Sequence, residues 1–180
     1  SKLIDFGSGS GIYSLVYNLF GAKTDLVEYE KKFVKQSKKL FLKFAKKNTY
    51  NIYSSDIFKF KTNKKYDIVI FNGVAHHTKN PDYILDKACK FLAKDGMIIY
   101  GIGNKSGFLQ RALQRIILFK LSKDENEIIK NSKILFRDHL VRAKKFGGRT
   151  VNQIIFDTYI NPKINCQSTD TIIKIFNKNK

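Results

Sequence analysis

Two short stretches carry residues able to do chemistry. In the first, Leu3-Ile4-Asp5-Phe6-Gly7-Ser8-Gly9-Ser10-Gly11-Ile12-Tyr13, an apolar pair runs into a carboxylate and three alternating glycines. Apolar residues then recur at Ile12, Leu15, Val16, Leu19 and Phe20, the period of one helix face. The pattern reads as strand, glycine turn and helix. Glycines suit a turn that bends tightly and lets a ligand approach where a Cβ would stand, and the N–H groups opening the helix face that ligand. A nucleotide-like cofactor fits such a turn. In the second stretch, Asn72-Gly73-Val74-Ala75-His76-His77-Thr78-Lys79-Asn80-Pro81, paired imidazoles follow an apolar run. An imidazole takes a proton from a nucleophile near neutral pH, and it serves equally to hydrogen-bond loop carbonyls and hold a pocket wall. Both roles stay open for His76 and His77. A metal site is disfavoured, because adjacent side chains seldom converge on one ion and no third ligand is apparent.

The glycine spacing separates two cofactor classes. Dinucleotide-binding turns use G-x-G-x-x-G, but here the third position falls on Ile12 or Ser14. Glu28 closes the next strand-like segment, Thr24-Asp25-Leu26-Val27-Glu28. It stands close to the ~20 positions after the glycines at which α/β cofactor folds place the acid that binds ribose hydroxyls. A carboxylate accepts both hydrogen bonds of a vicinal diol. A solvated strand-end Glu is the plain alternative.

Asp5-Phe6-Gly7-Ser8-Gly9-Ser10-Gly11 resembles the first motif of the class I S-adenosylmethionine-dependent methyltransferases, an acid followed by G-x-G-x-G. The resemblance implies that Asp5, Gly7, Gly9, Gly11 and Glu28, with Tyr29 beside it, bind S-adenosyl-L-methionine. After Tyr50-Asn51-Ile52-Tyr53-Ser54 the family commonly carries an acid that accepts from the adenine amino group and an apolar neighbour that packs on the ring, places filled here by Asp56 and Ile57. A turn-capping role is the alternative for Asp56. Asn72 ends the next strand at the cofactor wall, and its G-V-x-H-H-T continuation is similar to one large subgroup of the family. Phe156-Asp157-Thr158-Tyr159-Ile160-Asn161-Pro162 also resembles that subgroup, in a segment covering the substrate side. If the acceptor is a hydroxyl or amine, His76, His77 and Tyr159 are the candidate bases.

The elements that must hold these residues form an α/β Rossmann-like, mostly parallel sheet with helices on both faces, five strands in the family order 3-2-1-4-5. Residues 1–102 make the cofactor-binding core, and 103–180 a mainly helical, substrate-side segment of the same domain. The leading helix and last two strands of the family pattern are missing, so a truncated chain is expected. Strands are read at 24–28, 50–54, 65–72 and, after a Lys94-Asp95-Gly96 turn, 97–102. Helix 31–47 is expected to bury Phe33, Ser37, Leu40, Phe41 and Phe44 and to expose its lysines. Asn80 caps a helix with Pro81 in its first turn, burying Ile84, Leu85, Ala88, Phe91 and Leu92. A later helix is expected to bury Leu109, Ala112, Leu113, Ile116 and Ile117 with Arg111 and Arg115 outside. Helical segments run through 128–146 until Gly147-Gly148 breaks them, and 169–176 forms a last helix.

The chain has 180 residues, 43% of them hydrophobic, with 34 Lys and Arg against 15 Asp and Glu, a formal net charge of +19. That length suits one domain with a real core. The charge would favour an anionic partner, or reflects a lysine-rich coding bias. Cys89 and Cys166 stand apart, without disulfide or zinc spacing. No apolar run reaches the ~20 residues of a membrane span, so a cytoplasmic protein without membrane partners is expected. Methyl transfer to a small-molecule acceptor is the leading reading. A basic nucleic-acid-binding module or RNA methyltransferase, and an NAD(P)-dependent reductase, are the rivals.

Overall fold

The computed structural model describes residues 1–147 and 150–179. Apolar runs too continuous for a half-exposed strand form the centre of the sheet. Strand β1 (Lys2–Phe6) pairs in parallel with β2 (Lys23–Glu28) on one side and β4 (Tyr66–Asn72) on the other. Strand β3 (Tyr50–Ser54) flanks β2, and β5 (Leu92–Gly101) flanks β4, giving the order β3-β2-β1-β4-β5. Side-chain alternation sends Leu3 to one face, with Ala22 and Ile70, and Ile4 and Phe6 to the other. There Phe6 stacks on Phe71 at 4.6 Å between centroids and on Phe91 at 5.4 Å.

Helix α1 (Ile12–Leu19) follows β1, α2 (Lys31–Phe44) follows β2, and α3 (Pro81–Cys89) lies between β4 and β5. The expected cap of α3 is present: Asn80 Oδ1 accepts from the Tyr83 N–H at 2.9 Å. Strand β5 begins earlier than expected, because Leu92 already pairs with Tyr66 and the Lys94-Asp95-Gly96 turn lies within the strand. Asp95 takes a left-handed φ of 62° there.

The expected inward faces of two helices are corrected. In α1, Ser14, Leu15 and Asn18 face the core, whereas Ile12, Val16, Leu19 and Phe20 are substantially exposed. Polar demand from below sets this rotation. Ser14 Oγ donates to Asp5, and Asn18 Nδ2 donates to the carbonyls of Ala22 at 3.0 Å and Thr49 at 3.1 Å. In α2 the buried line is Val34, Ser37 and Phe41, and Phe33 and Phe44 emerge among the lysines. Ser37 Oγ donates to the Gly9 carbonyl at 2.9 Å, so α2 holds the glycine turn from behind. Ser37→Ala is expected to cost about 1 kcal/mol, the usual net value of one hydrogen bond, read from urea unfolding midpoints.

Beyond β5, α4 (Lys105–Leu121), α5 (Glu125–Leu135), α6 (Arg137–Gly147) and α7 (Val151–Ile155) lead into a π-helical turn, Phe156–Ile160. They enclose a second cluster of Leu118, Ile128, Leu140, Ile154, Ile155 and Tyr159. The expected stripe of α4 is inverted: Leu109, Leu113, Ile116 and Ile117 are exposed, while Arg111 and Arg115 turn inward. A π-turn end leaves carbonyls without helix partners, and such groups need donors. Arg115 Nη1 supplies one to the Asn161 carbonyl at 2.8 Å, and Arg111 Nη2 lies 2.7 Å from His139 Nδ1. The expected helix break falls where α6 ends on Gly147, and Gly148 lies outside the described residues. Helix α8 (Thr169–Lys178) packs against α3, where Lys178 Nζ lies 3.3 Å from the Asp86 carboxylate. Among the described residues, no helix is long and apolar enough to cross a membrane.

Candidate functional site

Because every strand of the sheet runs parallel, the residues that follow the strands all emerge at one edge. The chain winds outward through β2 and β3 on one side of β1, and through β4 and β5 on the other, so the switch point lies between β1 and β4. Open α/β sheets bind ligands there. The glycine turn after β1 and the His76-His77 loop after β4 flank this crevice. They also touch, since a Cβ on Gly7 would collide with the methyl groups of Val74.

Gly9 and Gly11 are required for different reasons. Gly11 has φ 78° and sits within the fold, where a Cβ would meet Leu26 and Ser37 at 3.0 Å and Phe41 at 3.2 Å. Gly9 has φ 56°, and a Cβ there would meet nothing within 4 Å. The turn is therefore packed from beneath and open above, a cradle that a side chain would fill. Helix α1 starts from Gly11 without a side-chain cap, so no side chain answers the N–H groups of its first turn.

Glu28 is only 8% exposed, and its carboxylate joins the glycine turn to the loop after β2. Oε2 accepts from the Gly9 N–H and Oε1 from the Glu30 N–H, each at 2.8 Å. A carboxylate has about four acceptor positions, so capacity for a diol remains. Tyr29 beside it is exposed. Asp5 lies beneath the turn, accepting from Ser14 Oγ. Burial raises its pKa from 3.8 to about 7, with the Ser14 hydrogen bond opposing and the charge of Glu28 adding. Its place is thus under the cradle, holding α1 to β1.

Asp56 accepts from the Phe58 N–H at 2.7 Å, a turn cap directed forward along the chain. Ile57 is buried in the cluster with Phe6 and Phe71, beneath the sheet edge. Lys87 Nζ ties this loop down by donating to the carbonyls of Ile57 at 2.8 Å and Phe58 at 2.9 Å. Burial lowers the Lys87 pKa, and the nearby Asp56 charge opposes that shift. Asn72 is exposed at the end of β4, packed so closely on Gly101 that a Cβ there would collide with its Oδ1.

The histidines occupy a 3-10 turn, Ala75–His77, with ring centroids 4.1 Å apart. His77 Nδ1 lies 3.0 Å from the Lys163 carbonyl and 3.1 Å from Asn161 Nδ2. The carbonyl accepts from a protonated Nδ1 and the Asn161 amide donates to an unprotonated one, so the strap holds the ring in place in either tautomer. Asn165 completes the strap: its N–H donates to the His76 carbonyl and its Nδ2 to the Thr78 carbonyl, each at 2.7 Å. Tyr159 is placed elsewhere, fully buried in the helical cluster with its hydroxyl donating to Gln114 Oε1 at 3.2 Å. Burial raises its pKa. The structure thus gathers Asp5, the glycines and Glu28 around one turn. It brings Asn161, Lys163 and Asn165, rather than Tyr159, to the histidines. Those strap residues carry no sequence signal beyond the Asn161-Pro162 turn pair.

A family model described as a methyltransferase domain matches residues 1–166. Among curated proteins, the ubiquinone biosynthesis O-methyltransferase of Pelagibacter ubique is 28% identical over 105 residues, covering 58% of this chain and 43% of the relative. The chain thus spans less than half the length of that protein. Among solved structures, PKMT2 from Rickettsia typhi superposes with a TM-score of 0.78 at 18% identity, covering 99% of this chain and 38% of that one. The same protein in complex with AdoHcy gives a TM-score of 0.76 at 18% identity, covering 99% and 38% of the two chains. With the family match running through the glycine turn, the histidine loop and the strap, and with the strand order 3-2-1-4-5 beneath them, the chain belongs to the methyltransferase domain family.

Proposed function

We propose that this domain transfers a methyl group from S-adenosylmethionine to a small-molecule acceptor. The observation that carries the reading is the open cradle at Gly9, anchored by Glu28 at the switch point of the sheet. Gly7, Gly9, Gly11 and Glu28 hold the nucleoside end, with Tyr29 at the rim, while Asp56 and Ile57 take the adenine edge and face. Asp5 acts from beneath, and Asn72 forms the wall toward β4. When bound, the cofactor supplies an electrophilic methyl group on a sulfonium sulfur. The chain's own residues bind, align the nucleophile and exclude water.

A hydroxyl or amine acceptor has a proton to lose, and His77, its ring held by the strap, is the group that takes it. His76 shapes the same loop. Tyr159 acts through packing, because its buried hydroxyl is committed to Gln114. Residues 1–102 are the cofactor core, and 103–180 cover the acceptor side. The acceptor reading draws on the strap, through which the helical segment reaches the histidine loop. An O-methyltransferase among the relatives agrees with an oxygen nucleophile.

S-adenosylhomocysteine is expected to raise the thermal midpoint, since a ligand bound only by the folded state stabilises it by mass action, and NADH is expected to leave the midpoint unchanged. The reverse result would make the reductase reading correct. In the same calorimetric series, Glu28→Ala is expected to weaken S-adenosylhomocysteine binding by about 1.5–3 kcal/mol, the range for a hydrogen bond to a charged group. Unchanged affinity in a folded variant returns Glu28 to a purely structural latch on Gly9 and Glu30.

A further inference from the structure

On the far side of the strap from His77, α4 and residues 162–164 border an open groove of about 660 Å³. Its walls are apolar, formed mainly by Phe108, Ile116, Phe119 and Ile164, with Arg115 and Lys120 as the charged residues of the lining. That volume lies within the range of small-molecule sites, and such sites pair apolar walls with a few placed polar groups. Arg115 is the placed group. It is partly buried, its Nη1 rests on the Asn161 carbonyl at 2.8 Å, and its guanidinium lies 5.8 Å from the centroid of the Phe119 ring. Among the described residues it forms no ion pair. A guanidinium has five donors in a planar fork suited to a carboxylate, and here one nitrogen engages protein carbonyls.

The strap forms one wall of this groove. Pro162 and Ile164 line it, while Asn161 and Lys163, alternating with them, contact His77. One strap therefore separates the groove from the candidate base. The lining contains no carboxylate, and both of its charged residues, Arg115 and Lys120, are cations. We propose that the groove binds an amphipathic carboxylic acid, its apolar body against Phe108, Ile116, Phe119 and Ile164 and its carboxylate on Arg115.

Calorimetry at about 0.15 M salt, where long-range attraction to a basic surface is screened, tests the proposal with decanoate, acetate and decyltrimethylammonium as probes. Decanoate is expected to bind saturably, and the other two are not. Arg115→Met is expected to weaken decanoate about tenfold or more. Because that change also removes the donor to Asn161, Ile116→Glu is the companion variant. Ile116 is 58% exposed, so a carboxylate there is tolerated by the fold while repelling the ligand from the groove. Both variants are expected to keep the wild-type affinity for S-adenosylhomocysteine. The proposal is overturned if decanoate fails to bind, if decyltrimethylammonium binds equally well, or if decanoate binding is indifferent to both substitutions. Decanoate binding that follows this pattern in a protein that does not bind S-adenosylhomocysteine would uphold the groove and sink the methyl-transfer reading instead.

Discussion

Gly11→Ala is expected to destabilise the fold by roughly 2–5 kcal/mol, the sum of a left-handed backbone cost and overpacking against a filled core. Gly9→Ala, two residues earlier, is expected to lose less stability, about 1–2 kcal/mol, but most of its affinity for S-adenosylhomocysteine. The contrast follows from what each Cβ would meet. At Gly11 it runs into Leu26, Ser37 and Phe41 within 3.2 Å, side chains fixed beneath the turn. At Gly9 it enters space with no protein atom within 4 Å, so the cost to the fold is the φ of 56° alone, about 1–2 kcal/mol. A ligand lying on the turn needs that space, and losing it is expected to weaken binding by at least about tenfold, or ~1.4 kcal/mol. Urea unfolding and S-adenosylhomocysteine calorimetry on both variants separate the two effects. If Gly9→Ala binds like the wild type, the cofactor does not lie over Gly9, and the proposed cradle is wrong.

The centre of the sheet is legible in the sequence because β1, β2 and β4 carry runs of buried residues that alternate between both faces. Leu3-Ile4, Leu26-Val27 and Ile68-Val69-Ile70-Phe71 admit no other element between their turns. Glu28 is legible for a related reason, since a strand of fixed rise places its last residue at the same edge as the preceding turn. Helix faces are less legible. The period of α4 marks a stripe of leucines and isoleucines, yet those residues point outward, because Arg115 turns in to the carbonyls at the π-turn and Arg111 to Gln114 and His139. The period of α1 misleads likewise, with Ser14 and Asn18 answering polar groups supplied by distant segments. A similar limit applies to the strap. Asn161 and Asn165 belong to the candidate site only because the chain returns there more than 80 residues after the histidine loop, at separations of 84 and 87. The stretch ending in Asn161-Pro162 is legible as a substrate-side segment, but nothing local tells which of its residues reach the histidines, and Tyr159, the more chemically conspicuous one, is held in the helical cluster by Gln114 and Phe136.

Asp5 gives the largest expected pH effect. Its carboxyl is 5% exposed, and burial lifts its pKa from 3.8 to about 7. The folded protein therefore keeps a proton that the unfolded chain has already released between about pH 4 and pH 7. In that window the native state binds more protons, so stability falls as pH rises. The full contribution is present below about pH 4 and is lost by about pH 7, above which the carboxyl is ionised in both states. The difference of roughly three pKa units corresponds to about 4 kcal/mol. Asp5→Asn removes the titration while keeping a carbonyl to accept from Ser14 Oγ, so α1 remains joined to β1. Urea unfolding of both proteins across this range is expected to show the wild type losing about 4 kcal/mol relative to the variant as pH rises. Other carboxylates, including Asp86 with its pKa lowered to about 2 by Asn179 and its lysine partners, titrate alike in both proteins and cancel in the difference. A difference that stays flat with pH would mean that Asp5 remains ionised under the glycine turn, and that the turn is held over a charge rather than over a neutral acid.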